Sequence, residues 1–187
     1  MKTIDKTMAG LLALSILLNL ALAFKVHSLR AAVTRTELIA VGAKIGEIRV
    51  RTSAGAPVTL SFDHAPRSTV LYILSRTCTW SARNLASIKN LAGLGASQYR
   101  FRGISLRSEG LSEYLAAAGY PFEVYTDVRD DDLRKYHLGS TPETIVVDRG
   151  GKVVKAWIGA YQDSVKDDVD RFFGRPSDSA ALRRPKN

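Results

Sequence analysis

Short apolar runs with alternating or β-branched residues begin near residue 48 and predict strands. The first three lie at Ile48–Thr52, Val58–Phe62 and Thr69–Leu74. The third is almost entirely apolar, which predicts a strand that is buried on both faces. Gly55 and Pro57 predict a turn between the first two, so an N-terminal hairpin should precede the central strand.

Helices and strands should then alternate. Leu85, Ile88 and Leu91 are three residues apart, which predicts a helix over Cys78–Leu94. The other expected elements are strand Tyr99–Leu106, helix Leu111–Ala118, strand Phe122–Tyr125, helix Asp130–Tyr136, strands Glu143–Asp148 and Lys152–Ile158, and helix Gln162–Phe173. Arg149, Gly150 and Gly151 join the last two strands in a hairpin. This order predicts an α/β sandwich with a mixed sheet.

The N-terminus carries a membrane signal. Met8 to Phe24 is an uncharged apolar run between lysines, and as a helix it would cover roughly 25 Å of a hydrocarbon core ~30 Å thick. We expect residues 1–30 to anchor the chain as a single-pass membrane protein whose domain faces the periplasm or the cell exterior. The alternative is a signal cleaved after Ala21-Leu22-Ala23, which would release a secreted protein.

The remaining chain is long enough for one domain. Of all 187 residues of the protein, 45% are hydrophobic and 24% are charged, which excludes a mostly disordered protein. We expect a linker over residues 31–44, a domain over 45–174 and a disordered basic tail over 175–187.

The net charge and the spacing of Cys and His residues limit the kinds of partner and ligand that the protein could bind. The net charge of +9 is compatible with several anionic partners. Arginines alternate with aromatic residues from Tyr99 to Arg102, but a strand with one solvated basic face explains this pattern, so we expect no nucleic-acid partner. One cysteine cannot form a disulfide within the chain. The three histidines lie far apart in sequence, so we expect neither a structural metal site nor a cofactor.

Cys78 is the candidate nucleophile. It follows the most hydrophobic strand directly and stands at the predicted start of a helix. The first N–H groups of a helix lack intrahelical partners and the helix dipole is positive there, so a thiolate is favoured. The alternative from local sequence is that Cys78 is a small buried hydrophobic residue.

Two separated segments resemble the thioredoxin-like superfamily. TVLYILSRTCTWSARNLASIKNL is similar to its strand, C-x-x-C turn and first helix, and GSTPETIVVDRGGKVVKAWIGAY to its cis-proline loop and final hairpin. The likeness covers roughly Val41 to Phe173. With the anchor and the longer middle section, the chain resembles the TlpA/ResA-like branch of membrane-anchored redoxins.

The resemblance implies a role for each motif residue. Cys78 would be catalytic, within an active-site motif that continues through Thr79, Trp80 and Ser81. Trp80 would be exposed, although a buried core aromatic is the alternative. Thr141 and Pro142 would bind substrate, with Pro142 in a cis peptide bond beside Cys78. A plain turn before a strand is the alternative for this loop.

The departures from the family pattern change the expected mechanism. Ser81 stands where the family carries its second cysteine, and a hydroxyl cannot replace a thiol in resolving a mixed disulfide. Asn84 and Ala86 stand where the family usually has Glu and Pro. Resolution of any mixed disulfide at Cys78 therefore needs a thiol from outside the chain.

These observations support an exported oxidoreductase that exchanges thiols and disulfides through Cys78 alone. Its expected partners are protein thiols or disulfides and a low-molecular-weight thiol. One alternative is a peroxidase of the one-cysteine peroxiredoxin type; Ser75 fits that family's pattern, but Leu71 stands where its proline belongs. The other is a redox-inactive thioredoxin fold kept as a binding module.

Overall fold

The computed structural model describes residues 2–33 and 38–174, with side chains over residues 8–25 of the first segment. The predicted disordered tail, 175–187, and residues 34–37 of the predicted linker lie outside the described residues. The chain divides into two compact units, Met1–Glu37 and Leu38–Asn187.

The first unit contains one long helix, α1 (Lys2–Val33). Its segment Met8–Lys25 has a mean hydropathy of 1.9 and no buried residue. These 18 residues span about 27 Å, close to the thickness of a hydrocarbon core. The helix is therefore long and apolar enough to cross a membrane, a property that anchors share with signal sequences.

The second unit alternates strands and helices in the predicted order, so the α/β prediction is confirmed. Its elements are β1 (Glu47–Arg51), β2 (Pro57–Ser61), β3 (Ser68–Leu74), α2 (Thr79–Gly95), β4 (Tyr99–Ser105), α3 (Leu111–Ala118), β5 (Val124–Tyr125), α4 (Asp130–Lys135), β6 (Glu143–Val147), β7 (Val153–Ile158) and α5 (Asp163–Phe173).

The central sheet is mixed and has the order β5-β4-β3-β6-β7. β3 is parallel to β4 and antiparallel to β6, and β7 is antiparallel to β6. Every residue of β3 from Thr69 to Leu74 is buried, which confirms the prediction of a two-sided core strand. Because β3 and β6 run in opposite directions, the segment after β3 lies beside the segment before β6.

Two hydrophobic cores cover the two faces of the sheet. On one face, Leu71 and Ile73 pack with the hairpin of β1 and β2, which forms a two-stranded sheet of its own. On the other face, Tyr72 packs with Ile88 of α2 and Val169 of α5. This second core holds α2 against the sheet and so fixes its first turn.

The strand predicted at Phe122–Tyr125 is shorter than expected. Only Val124 and Tyr125 pair with β4. Phe122 instead stacks on Phe101, with ring centroids 5.9 Å apart. The apolar run indicated a strand, but part of its apolar surface is buried by aromatic packing rather than by strand pairing.

Candidate active site

Cys78 occupies the junction between β3 and α2. It is the N-cap residue of α2, with extended backbone angles of φ −87° and ψ 114°, and its side chain makes no capping hydrogen bond. The thiol is partly buried. Its position next to the unpartnered N–H groups of the first helical turn favours the thiolate.

The loop before β6 contacts Cys78. The Thr141–Pro142 peptide bond is cis, as predicted. The Cys78 thiol donates a hydrogen bond to the Thr141 carbonyl oxygen, with Sγ and O 3.2 Å apart. The predicted contact between these two separated segments is therefore confirmed.

The surroundings of Cys78 lower the pKa of its thiol. Burial raises this pKa, but hydrogen bonds from the Thr141 side chain, the backbone and hydroxyl of Ser81, and the backbone of Trp80 outweigh it. The Thr141 carbonyl stabilises the protonated thiol, whereas the other groups donate to the thiolate. When the thiol loses its proton, its sulfur gives up one hydrogen bond to the Thr141 carbonyl and gains hydrogen bonds from several donors.

Ser81 lies where a second thiol would stand. Its side chain is completely buried, and its Oγ accepts a hydrogen bond from the Ser75 backbone N–H, with N and Oγ 3.4 Å apart. A hydroxyl that accepts one hydrogen bond can still donate its own proton. Donation of this proton to the Cys78 thiolate is one of the interactions that lower the pKa of Cys78. Ser81 is thus suited to stabilise the thiolate and unable to resolve a disulfide.

Ser81→Ala should make Cys78 less reactive near neutral pH. Loss of one hydrogen bond to a charged sulfur predicts roughly tenfold slower alkylation by iodoacetamide at pH values below the thiol pKa. The measurement is the alkylation rate of full-length protein in nonionic detergent as a function of pH. Ser105→Ala is the matched control, because this buried hydroxyl donates to the Arg107 carbonyl instead. Unchanged reactivity of Ser81→Ala would exclude the hydroxyl as a donor.

Asn84 links α2 to the segment before α5. It is buried, and its Oδ1 accepts a hydrogen bond from the Tyr161 backbone N–H at 2.8 Å. Its amide also donates to the Tyr72 hydroxyl at 3.4 Å. Asn84 carries no proton that titrates, so this position holds the helix in place and transfers no proton to Cys78.

The outer rim of the site is exposed. Thr79 begins α2 at the surface, and Trp80 is 49% exposed, which confirms the predicted exposure of the indole. The Arg83 guanidinium lies over the Trp80 ring, 4.8 Å from its centroid. An apolar face with a cation above it is therefore available to a partner beside Cys78.

Glu143 is a buried acid that the sequence analysis treated only as a strand residue. It follows Pro142 directly, is 1% exposed, and neither carboxylate oxygen has a hydrogen-bond partner among the described residues. Burial raises the pKa of Glu143 to about 8. The sequence offered one signal for this buried acid, which is that Glu143 is the only charged residue in the strand sequence ETIVV.

The described residues contain no group of three or more His, Cys, Asp or Glu side chains that could hold a metal ion.

Comparison with known proteins identifies the fold. No family model and no curated protein matches the chain. A thioredoxin domain of a thiol-disulfide oxidoreductase from Bacteroides vulgatus matches with TM-score 0.58 and 18% identity, covering 72% of this chain and 98% of that one. A thiol:disulfide interchange protein from Bacteroides sp. matches with TM-score 0.57 and 16% identity, covering 78% and 97%. StoA from Bacillus subtilis matches with TM-score 0.55 and 12% identity, covering 71% and 100%.

At these identities the likeness shows a shared fold. The second unit therefore has a thioredoxin-like fold, as the sequence resemblance implied. A fold of this kind does not by itself determine the function.

Proposed function

We propose that the chain is a thiol-disulfide oxidoreductase that acts through Cys78 alone. The observation that carries this proposal is the position of the sulfur, at the N-terminus of α2 and 3.2 Å from the Thr141 carbonyl oxygen, among donors that lower its pKa. A lowered pKa increases the fraction of thiolate, which is the form that attacks disulfides.

The proposed reaction has two exchange steps. The Cys78 thiolate attacks one sulfur of a partner disulfide, so that a new S–S bond forms to Cys78 and the other partner sulfur leaves as a thiolate. An external thiolate then attacks the partner sulfur of this mixed disulfide, so that a new S–S bond joins the external thiol to the partner and Cys78 leaves as a thiolate. The external thiol supplies the electrons, and Cys78 returns to its starting state.

Thr141 and Pro142 are the proposed substrate-binding residues. Thr141 already contacts the sulfur, so a partner disulfide that reaches Sγ must also meet this loop. Exposed Trp80 offers an apolar contact on the helix side of the sulfur. Partners would be proteins with accessible thiols or disulfides, together with a low-molecular-weight thiol that resolves the adduct.

We further propose that the domain works outside the cytoplasm as a membrane-anchored redoxin of the TlpA/ResA-like type. The apolar segment Met8–Lys25 supports insertion into a membrane. Export suits the chemistry, because disulfides persist in oxidising compartments. Cleavage after Ala23 would instead give a secreted form of the same domain.

Adduct formation tests the proposed chemistry. Reduced full-length protein in nonionic detergent is mixed with a symmetric peptide disulfide, and intact mass is followed with time. We expect one peptide to be added at Cys78 and one equivalent of peptide thiol to be released. Cys78→Ala should form no adduct. Failure of the wild-type protein to react while alkylation of Cys78 proceeds normally would contradict the proposal.

The absence of a second thiol favours one other candidate, a redox-inactive binding module. Such a module has no need for a stabilised thiolate. It predicts that Cys78 is alkylated with the pH dependence of an ordinary thiol and forms no peptide adduct, whereas the oxidoreductase proposal predicts reaction at lower pH.

A further inference from the structure

The stretch of sequence that contains Cys78 has no acidic residue. Between Asp63 and Glu109 there is no Asp or Glu, although this stretch includes β3, α2 and β4. The same stretch contains seven basic residues: Arg67, Arg76, Arg83, Lys89, Arg100, Arg102 and Arg107. The first turn of α2 also lacks an acidic residue, although acidic side chains are favoured there.

Three of these arginines lie in segments next to the Cys78 turn. Arg76 is in the turn itself, Arg83 is in the second turn of α2, and Arg107 follows β4. β3 and β4 are parallel, and their ends remain joined because the Leu106 N–H donates to the Leu74 carbonyl at 3.0 Å. The residues that follow the two strands therefore share one edge of the sheet.

The charges of these three arginines are not neutralised within the described residues. All three are exposed, and no carboxylate there lies within ion-pairing distance of them, although other parts of the fold contain eight ion pairs. The Arg83 guanidinium stacks on Trp80, and that of Arg76 lies over Gly110, 3.6 Å from where a β-carbon there would stand. We call these three residues, Arg76, Arg83 and Arg107, the arginine rim.

We infer that the partner of Cys78 is a polypeptide segment whose cysteine is flanked by carboxylates. This inference rests on the proposed exchange function and names its substrate class. The rim arginines come from three separate segments, so they can meet charges on several residues of a partner, and exposed Trp80 adds an apolar contact beside Arg83. Complementary charge of this kind increases association rates and discriminates between partners.

Matched peptide disulfides test the charge preference. Three symmetric disulfides are made from peptides that differ only beside their cysteine, with two Glu, two Gln or two Lys residues. The rate of adduct formation at Cys78 is measured by intact mass with the full-length chain in nonionic detergent. Each rate is divided by the rate of the same disulfide with 2-mercaptoethanol, because flanking charges also change the reactivity of the leaving thiol.

The corrected rate should be highest for the Glu peptide and lowest for the Lys peptide. We expect about a tenfold difference between them at low salt, which should shrink at high salt because screening weakens exposed charges. The combined variant Arg76→Gln, Arg83→Gln, Arg107→Gln should remove most of this ratio. The combined variant Arg67→Gln, Arg100→Gln, Arg149→Gln is the matched control, since it removes the same number of charges from exposed positions at the other end of the sheet, where β3 and β4 begin and β6 ends, and should preserve the ratio.

The outcomes separate this inference from the proposed function. Adducts that form with equal corrected rates for all three peptides would overturn the charge preference and leave exchange at Cys78 intact. Equal loss of the ratio in the combined control variant would also overturn it, because net charge rather than the rim would then be responsible. Failure of all three peptides to react would overturn the exchange function and, with it, the inference.

Discussion

Ser81→Cys is expected to double the thiol released from a disulfide substrate in a single turnover. Position 81 is one helical turn after Cys78 and its side chain is buried at the site, so a thiol there can attack the mixed disulfide. The variant should release both halves of a peptide disulfide and finish with Cys78 joined to Cys at position 81. Wild-type protein should release one half and retain the other.

The number of thiols released per peptide disulfide consumed is counted with reduced full-length protein at low concentration after all reductant has been removed. Ser87→Cys is the matched control. Position 87 is on the same helix but lies roughly 13 Å from Cys78 along the helix axis, too far for a thiol there to reach Cys78. It should behave as the wild type does. One equivalent from Ser81→Cys, or two from the wild type, would contradict the account of Ser81.

Glu143→Gln is expected to remove a large pH dependence of stability. In the folded protein the pKa of Glu143 is about 8, against an ordinary value of 4.5, so between these values the folded state holds a proton that the unfolded chain releases. The free energy of unfolding therefore falls as pH rises through this window, by on the order of 5 kcal/mol in total. A glutamine side chain stays neutral and avoids this loss.

Urea unfolding of the full-length chain at pH 5 and pH 8.5 measures the difference. Wild-type protein should be less stable at pH 8.5 by several kcal/mol because of Glu143, and Glu143→Gln should lose most of that difference. Glu47→Gln is the control, since Glu47 is an exposed strand residue. If Glu143→Gln and the wild type lose equal stability on going to pH 8.5, another group is responsible.

The local pattern of the sequence predicted the elements that present Cys78. An apolar strand followed by helical spacing places a residue at the strand-to-helix junction by chain order alone, and the structure has Cys78 there. Proximity of Thr141 and Pro142 to the sulfur did not follow from periodicity. It came from the resemblance of two motifs, because the pairing of β3 with β6 joins segments that are far apart in the chain.

Other parts of the site depend on contacts that no local pattern records. Asn84 bonds to Tyr161, which is 77 residues away, and is buried because α2 and the segment before α5 cover the same face of the sheet. Asp132 was predicted only as part of the helix Asp130–Tyr136. In the structure it is buried and accepts hydrogen bonds from the Arg49 side chain at 3.2 Å and from the Arg49 backbone at 3.0 Å.

The lifetime of the Cys78 mixed disulfide tests the central claim most directly. The peptide adduct is formed on wild-type protein, separated from free thiols and followed by intact mass at increasing concentrations of glutathione. We predict that the adduct persists without glutathione and decays at a rate proportional to its concentration, with an intercept near zero. Decay at a substantial rate without added thiol, independent of glutathione, would contradict a mechanism in which Cys78 acts alone.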